Sequence, residues 1–160
     1  LHERGAGELQ TPRSGGMKSK ATHSTNTANL IELARVTSRN GKPAADDPLI
    51  RDRIMQLVIQ EAGLGQNQRR ARVSALQDHP ARLLLQNKLL ASEIAQAIGA
   101  TAMEVEGASA SLYLGDDHAP AGGQWPMAYM NSYGMTIAAG TSEIQRNILG
   151  ERVLGLAKSK

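Results

Sequence analysis

A core without phenylalanine has to be packed from aliphatic side chains. This sequence of 160 residues contains no Phe, one Trp and three Tyr, so the interior must be built from Leu, Ile, Val, Ala and Met, most of which favour helix. Hydrophobic residues make up 41% of the chain and charged residues 21%, a balance that suits a single globular domain rather than a disordered chain. The spacing of the apolar residues then decides the fold class.

Leu30, Leu33 and Ala34 recur at helical spacing and predict a helix from 27 to 36, closed by Asn40-Gly41 and Pro43. Asp47 before Pro48 is a helix start, because the Asp side chain accepts orphan N–H groups while Pro suits the first turn. The stripe Ile50, Ile54, Leu57, Val58 and Leu64 carries that helix past Gly63 and Gly65, and Arg69, Arg70 and Arg72 read as its solvated face. Asp78-His79-Pro80 interrupts the pattern. From 81 to about 108, Leu84, Ala91, Ile94, Ala95, Ile98, Ala102 and Val105 mark a long helix whose alanines allow close neighbours. A turn-rich stretch follows from 115 to 126, anchored by Trp125, and a short helix is expected over 127–137. Ser142 with Gln145 three residues on reads as a capping box. The last helix is expected to face Ile144, Ile148, Leu149 and Val153 inward and to stop at Gly155. No strand pattern is evident, so the expected fold class is all-α, an antiparallel bundle of four to five helices over 27–160. Residues 1–26 read as the end of a preceding helix plus a flexible loop, and the start at Leu1 reads as that of a fragment.

The net charge is +3, with Lys and Arg scattered among acids, a pattern that does not point to nucleic acid. The absence of Cys excludes disulfides and thiolate chemistry. His2, His23, His79 and His118 lack ligand spacing, so no metal site is expected. No apolar run nears the roughly 20 residues that span a bilayer, and the N-terminus lacks a signal-peptide core, so a soluble, cytoplasmic location is expected.

Local chemistry around Gly140-Thr141-Ser142-Glu143 offers small residues and a helix N-terminus that suits polar ligands, a feature also served by a plain cap. The longer run Ala139-Gly140-Thr141-Ser142-Glu143-Ile144-Gln145-Arg146-Asn147-Ile148-Leu149-Gly150-Glu151-Arg152-Val153-Leu154-Gly155-Leu156 resembles the C-terminal signature of the acyl-CoA dehydrogenase family. Gly41-Lys42-Pro43 and Arg51 are also similar to that family.

The resemblance implies a helical domain packed on a matching subunit, with flavin adenine dinucleotide (FAD) lying partly across the interface. It places Gly140, Thr141 and Glu143 against the cofactor, Glu143 standing where some members carry Gln. The implied reaction is α,β-dehydrogenation of an acyl-CoA thioester, with electrons passed on to an electron-transfer acceptor. Its base is a carboxylate shielded from water, since burial raises the pKa toward neutrality. Many members place that Glu just before Gly-Thr-Ser, where this chain has Ala139. In another branch the base belongs to an earlier Glu-Arg element, which Glu3-Arg4 resembles, and this makes Glu3 the candidate base. The sequence departs from the family in two further places. The Arg that precedes Gly-Lys-Pro is out of register, with Arg35 and Arg39 on either side, and Gln-x-x-Gly-Gly has no counterpart near Gly107. Two other readings stand beside the enzyme: a noncatalytic subunit of a heteromeric dehydrogenase, and a helical interaction module without flavin.

Overall fold

Asn26 opens the first helix by accepting a hydrogen bond from the Asn29 N–H at 2.9 Å, which satisfies one of the donors a helix leaves unpaired at its start. A computed structural model of the chain describes residues 25–76 and 84–158. Helix α1 (Thr27–Val36) buries Leu30, Leu33 and Ala34, as their spacing requires. Asn40 and Gly41 then take positive φ of 52° and 77°, the conformation that a two-residue hairpin turn demands. The flanking pairs β1 (Ser38–Arg39) and β2 (Lys42–Pro43) form a short antiparallel ladder. This corrects the expectation that no strand occurs, since two residues per strand are too few for alternation to register in the sequence.

Asp47 caps α2 (Pro48–Arg70) by accepting from the Leu49 N–H at 2.9 Å. The helix runs unbroken through Gly63 and Gly65, burying Ile50, Ile54 and Leu57, with Val58 and Leu64 partly covered. Near its middle, Glu61 accepts from the backbone N–H and the hydroxyl of Thr27, tying α2 to the start of α1. Arg69, Arg70 and Arg72 are exposed, as the solvated-face reading expected.

Helix α3 (Leu84–Glu106) packs against α1, α2, α4 and α5 and is the centre of the bundle. The break at Asp78-His79-Pro80 lies outside the described residues. Ile94, Ile98, Ala102 and Val105 join Leu30, Leu33, Ile50, Ile54, Leu57 and Trp125 in one core cluster. At Gly99 the neighbouring helix comes so close that an added Cβ would sit 3.1 Å from the Tyr129 Cα.

The chain leaves α3 through short 3-10 turns at Gly107–Ser111 and Pro120–Gly123 and enters α4 (Gln124–Ile137). This helix starts three residues before the expected position, because Pro126 needs no N–H partner in the first turn and is accommodated there with buried Trp125. Helix α5 (Ser142–Arg152) ends the fold, with Gly155 at φ 68° and the Leu156 N–H donating back to the Gly150 carbonyl at 3.0 Å. The described residues thus form an all-α bundle of five helices with one small hairpin. Among them, no helix is long and apolar enough to cross a membrane, and no group of three or more His, Cys, Asp or Glu could hold a metal ion.

Candidate functional site

Helices α4 and α5 are joined by four residues in which the backbone reverses through the left-handed region, Ala139 at φ 55° and Gly140 at φ 94°. An alanine in that conformation costs about 1 kcal/mol or more, and two side chains from elsewhere hold it there. Gln145 Nε2 donates to the Ala139 carbonyl at 2.8 Å. Lys88 Nζ, from α3, donates to the Gly140 carbonyl at 2.6 Å and to the Thr136 carbonyl at 3.3 Å.

The cap of α5 differs from expectation. Thr141, with extended backbone, is the N-cap, and its Oγ1 accepts from the Ile144 N–H at 3.4 Å. Ser142 is already helical and buried, so it cannot turn back over the first turn, and Gln145 reaches past the cap to Ala139. The inward face shifts with it. Ser142, Gln145 and Leu149 follow one another at spacings of three and four, whereas Ile144 is 50% exposed rather than buried. Ile148, Leu149 and Val153 are half-buried.

The structure therefore brings Gly140, Thr141 and Glu143 together on one turn. Glu143 is fully exposed, and its carboxyl is held below its usual range first by its own backbone N–H, then by the Thr141 hydroxyl, with Arg146 adding to the effect. Arg146 also donates to Glu93, which ties α5 to α3. Ala139 presents only a methyl group next to this turn. Glu3 lies outside the described residues.

The second family-like segment is elsewhere. Arg39 in the hairpin donates to the Glu104 carbonyl at 3.3 Å, near the end of α3 opposite Lys88. At 1.5 Å per residue, Lys88 and Glu104 are roughly 24 Å apart along the helix, so one chain does not bring the hairpin to the Gly140 turn. Arg35 pairs instead with Glu32 on α1 at 3.9 Å.

Two residues escaped the sequence reading. Lys88 is the one cation within α3, and a lone cation in a helix surrounded by other helices must find acceptors, which was the available signal. Glu93 pairs with Arg146 and Glu104 with Arg53. Glu106 is different: it is 5% exposed, and neither carboxylate oxygen has a partner among the described residues.

Burial pushes the Glu106 carboxyl up from 4.5 to about 7. The folded chain therefore keeps a proton that the unfolded chain releases, so this contribution to stability is full below the unfolded value and is lost as pH rises through the folded one. The loss is on the order of 2 kcal/mol. Denaturant titrations at about pH 5 and about pH 8 should give a lower midpoint at the higher pH for the wild type, and a gap narrowed by Glu106→Gln. An unchanged gap in the variant would assign the pH dependence to other groups.

A five-helix bundle with a left-handed, internally clamped turn leading into its last helix defines a helical domain. The chain belongs to the acyl-CoA dehydrogenase family: the family model "Acyl-CoA dehydrogenase, C-terminal domain" matches residues 19–154. Acyl-CoA dehydrogenase IpdE1 of Mycolicibacterium smegmatis is 37% identical over 132 residues, which are 82% of this chain and 30% of that protein. Among solved structures, the ChsE4–ChsE5 complex from Mycobacterium tuberculosis superposes with a TM-score of 0.71 at 22% identity, over 83% of this chain and 35% of the other. An FAD-dependent dehydrogenase superposes with a TM-score of 0.65 at 23% identity, over 82% and 33%. The chain thus spans about a third of the length of these relatives.

Proposed function

We propose that this domain works within an FAD-dependent acyl-CoA dehydrogenase that introduces a double bond between the α and β carbons of an acyl-CoA thioester. The family membership supports the reaction class. The observation that carries the cofactor assignment is the α4–α5 turn, whose carbonyls at Ala139 and Gly140 are drawn inward by Gln145 and Lys88 while Thr141 and Glu143 lie at the helix start.

The residues present fit a dinucleotide. Gly140 takes a φ of 94° with Gln145 Nε2 only 3.0 Å from where a Cβ would sit, so a glycine is needed to form this turn. The ionised Glu143, with the Thr141 hydroxyl engaged beside it, suits donors such as sugar hydroxyls and opposes a phosphate at the same spot. When bound, the flavin supplies the acceptor for the hydride that leaves the β carbon. The proton on the α carbon goes to a carboxylate, for which Glu3 is the candidate because Glu3-Arg4 resembles the base-bearing Glu-Arg element of one branch of the family, while Ala139 carries no acceptor. The partners are an acyl-CoA substrate, a second copy or a heteromeric dehydrogenase subunit, and an electron-transfer acceptor. The unit that does this work is taken as 27–160, in the cytoplasm.

The test is flavin retention by the full-length protein in its native assembly. Gly140→Val forces a side chain onto a φ of 94° with its Cβ 3.0 Å from Gln145 Nε2, and FAD affinity should fall at least about tenfold. A wild-type protein that is colourless and takes up no FAD would defeat the enzyme reading. A Gly140→Val protein with full affinity would remove this turn from the cofactor site.

A further inference from the structure

We propose that Lys88 is a positioning residue for the cofactor turn, aiming the backbone N–H groups of Gly140 and Thr141 at an acceptor atom of the bound dinucleotide. The inference rests on the reading of this turn as a cofactor contact and adds the device that sets its geometry.

The peptide plane links each carbonyl to the next N–H. Every peptide bond among the described residues is trans, so the carbonyl of one residue and the N–H of the next share a plane and point in opposite directions. Lys88 draws the Gly140 carbonyl toward α3 at 2.6 Å, which turns the Thr141 N–H away from α3. Gln145 holds the Ala139 carbonyl at 2.8 Å, which turns the Gly140 N–H away from the Gln145 amide. Two successive donors are thereby oriented by two side chains, and we infer that they point to one acceptor.

The same ammonium also accounts for the neighbouring helix end. Thr136 lies in the last turn of α4, where carbonyls lack intrahelical partners, and Lys88 donates to its carbonyl at 3.3 Å. A cation at a helix C-terminus is favourable in itself, so one side chain stabilises the end of α4 and fixes the turn after it. Both bonds reach across about fifty residues of sequence, 48 and 52 positions. Since Lys88 donates to main-chain oxygens, it acts on a bound ligand through Gly140 and Thr141.

The experiment uses the full-length protein in its native assembly, with FAD itself as the probe. Lys88→Met keeps the aliphatic stem and removes the donor. FAD affinity, followed by quenching of flavin fluorescence, should fall about tenfold, the scale of losing a charge-assisted hydrogen bond. The visible circular dichroism of the bound flavin should change, and hydrogen exchange over 136–145 in the flavin-free protein should quicken. Lys88→Arg should restore part of the affinity, and Gln145→Leu should give a loss that is not additive with Lys88→Met. A Lys88→Met protein with wild-type affinity and spectrum, alongside a Gly140→Val protein that has lost FAD, would overturn the inference and leave the turn in the site. If neither variant affects FAD, the cofactor reading of the turn falls first. A loss that follows global unfolding and is not rescued by Arg assigns Lys88 a purely structural role, which also overturns the inference.

Discussion

Gly123→Ala should unfold the domain or cost it about 4 kcal/mol or more, while Gly122→Ala, one residue earlier, should cost about 1 kcal/mol. Both glycines are left-handed, at φ 73° and 67°, so the backbone strain of adding a Cβ is alike at the two sites. What separates them is space. A Cβ at Gly122 meets nothing within 4 Å, whereas at Gly123 it would lie 2.4 Å from the Tyr113 carbonyl carbon, 2.6 Å from the Leu114 nitrogen and 2.7 Å from the Tyr113 oxygen. These are main-chain atoms, so no side chain can swing aside. Relief requires moving the connection away from the start of α4, where Trp125, 4% exposed, belongs to the central core. Denaturant melts of the two variants against wild type measure the difference directly. Equal losses would mean that the connection gives way easily and that the close approach at Gly123 contributes little.

The contrast between these two glycines also marks where the sequence stops being informative. Features set within one or two turns were legible: α1 spans Thr27–Val36 as its apolar spacing predicts, and Asp47-Pro48 opens α2 where expected. The burial of Ile94, Ile98, Ala102 and Val105 follows from period alone. Features that need a partner from another element were not. Ser142 and Thr141 are both cap formers by composition, and in the fold Thr141 takes that place while Lys88 and Gln145 hold the two preceding carbonyls. Ile144 looked buried because it is apolar, yet that face of α5 turns outward while polar Ser142 and Gln145 are covered. Glu106, an acid beside Gly107, carries no local signal of the burial that the bundle gives it. For the candidate site, the resemblance located Gly140, Thr141 and Glu143, while the groups that shape them came only with the fold.

Replacing Glu3 by Gln in the full-length protein should lower turnover of its best thioester on the order of a thousandfold, the usual scale for losing a general base, while leaving flavin bound. Glu3 lies outside the described residues, and the described ones narrow the alternatives by position and chemistry. Ala139, where the family resemblance would put a base, offers only a methyl group. Glu143 stays ionised in full solvent, with its carboxyl held below the usual range, which makes it a weak proton acceptor. Glu106 has the raised proton affinity a base needs, at about 7, yet it sits at the end of α3 opposite Lys88, roughly 27 Å along the helix from the residue that grips the Gly140 turn. A base must come within about 3 Å of the proton it removes, so Glu106 is not placed to act beside the Gly140 turn of its own chain. Glu106→Gln should therefore alter the pH dependence of stability and leave turnover at its wild-type level. A Glu3→Gln protein with full turnover would shift the weight to a noncatalytic subunit whose base is supplied by its partner. Lost turnover in Glu106→Gln with flavin retained would place the end of α3 against a second active site in the assembly.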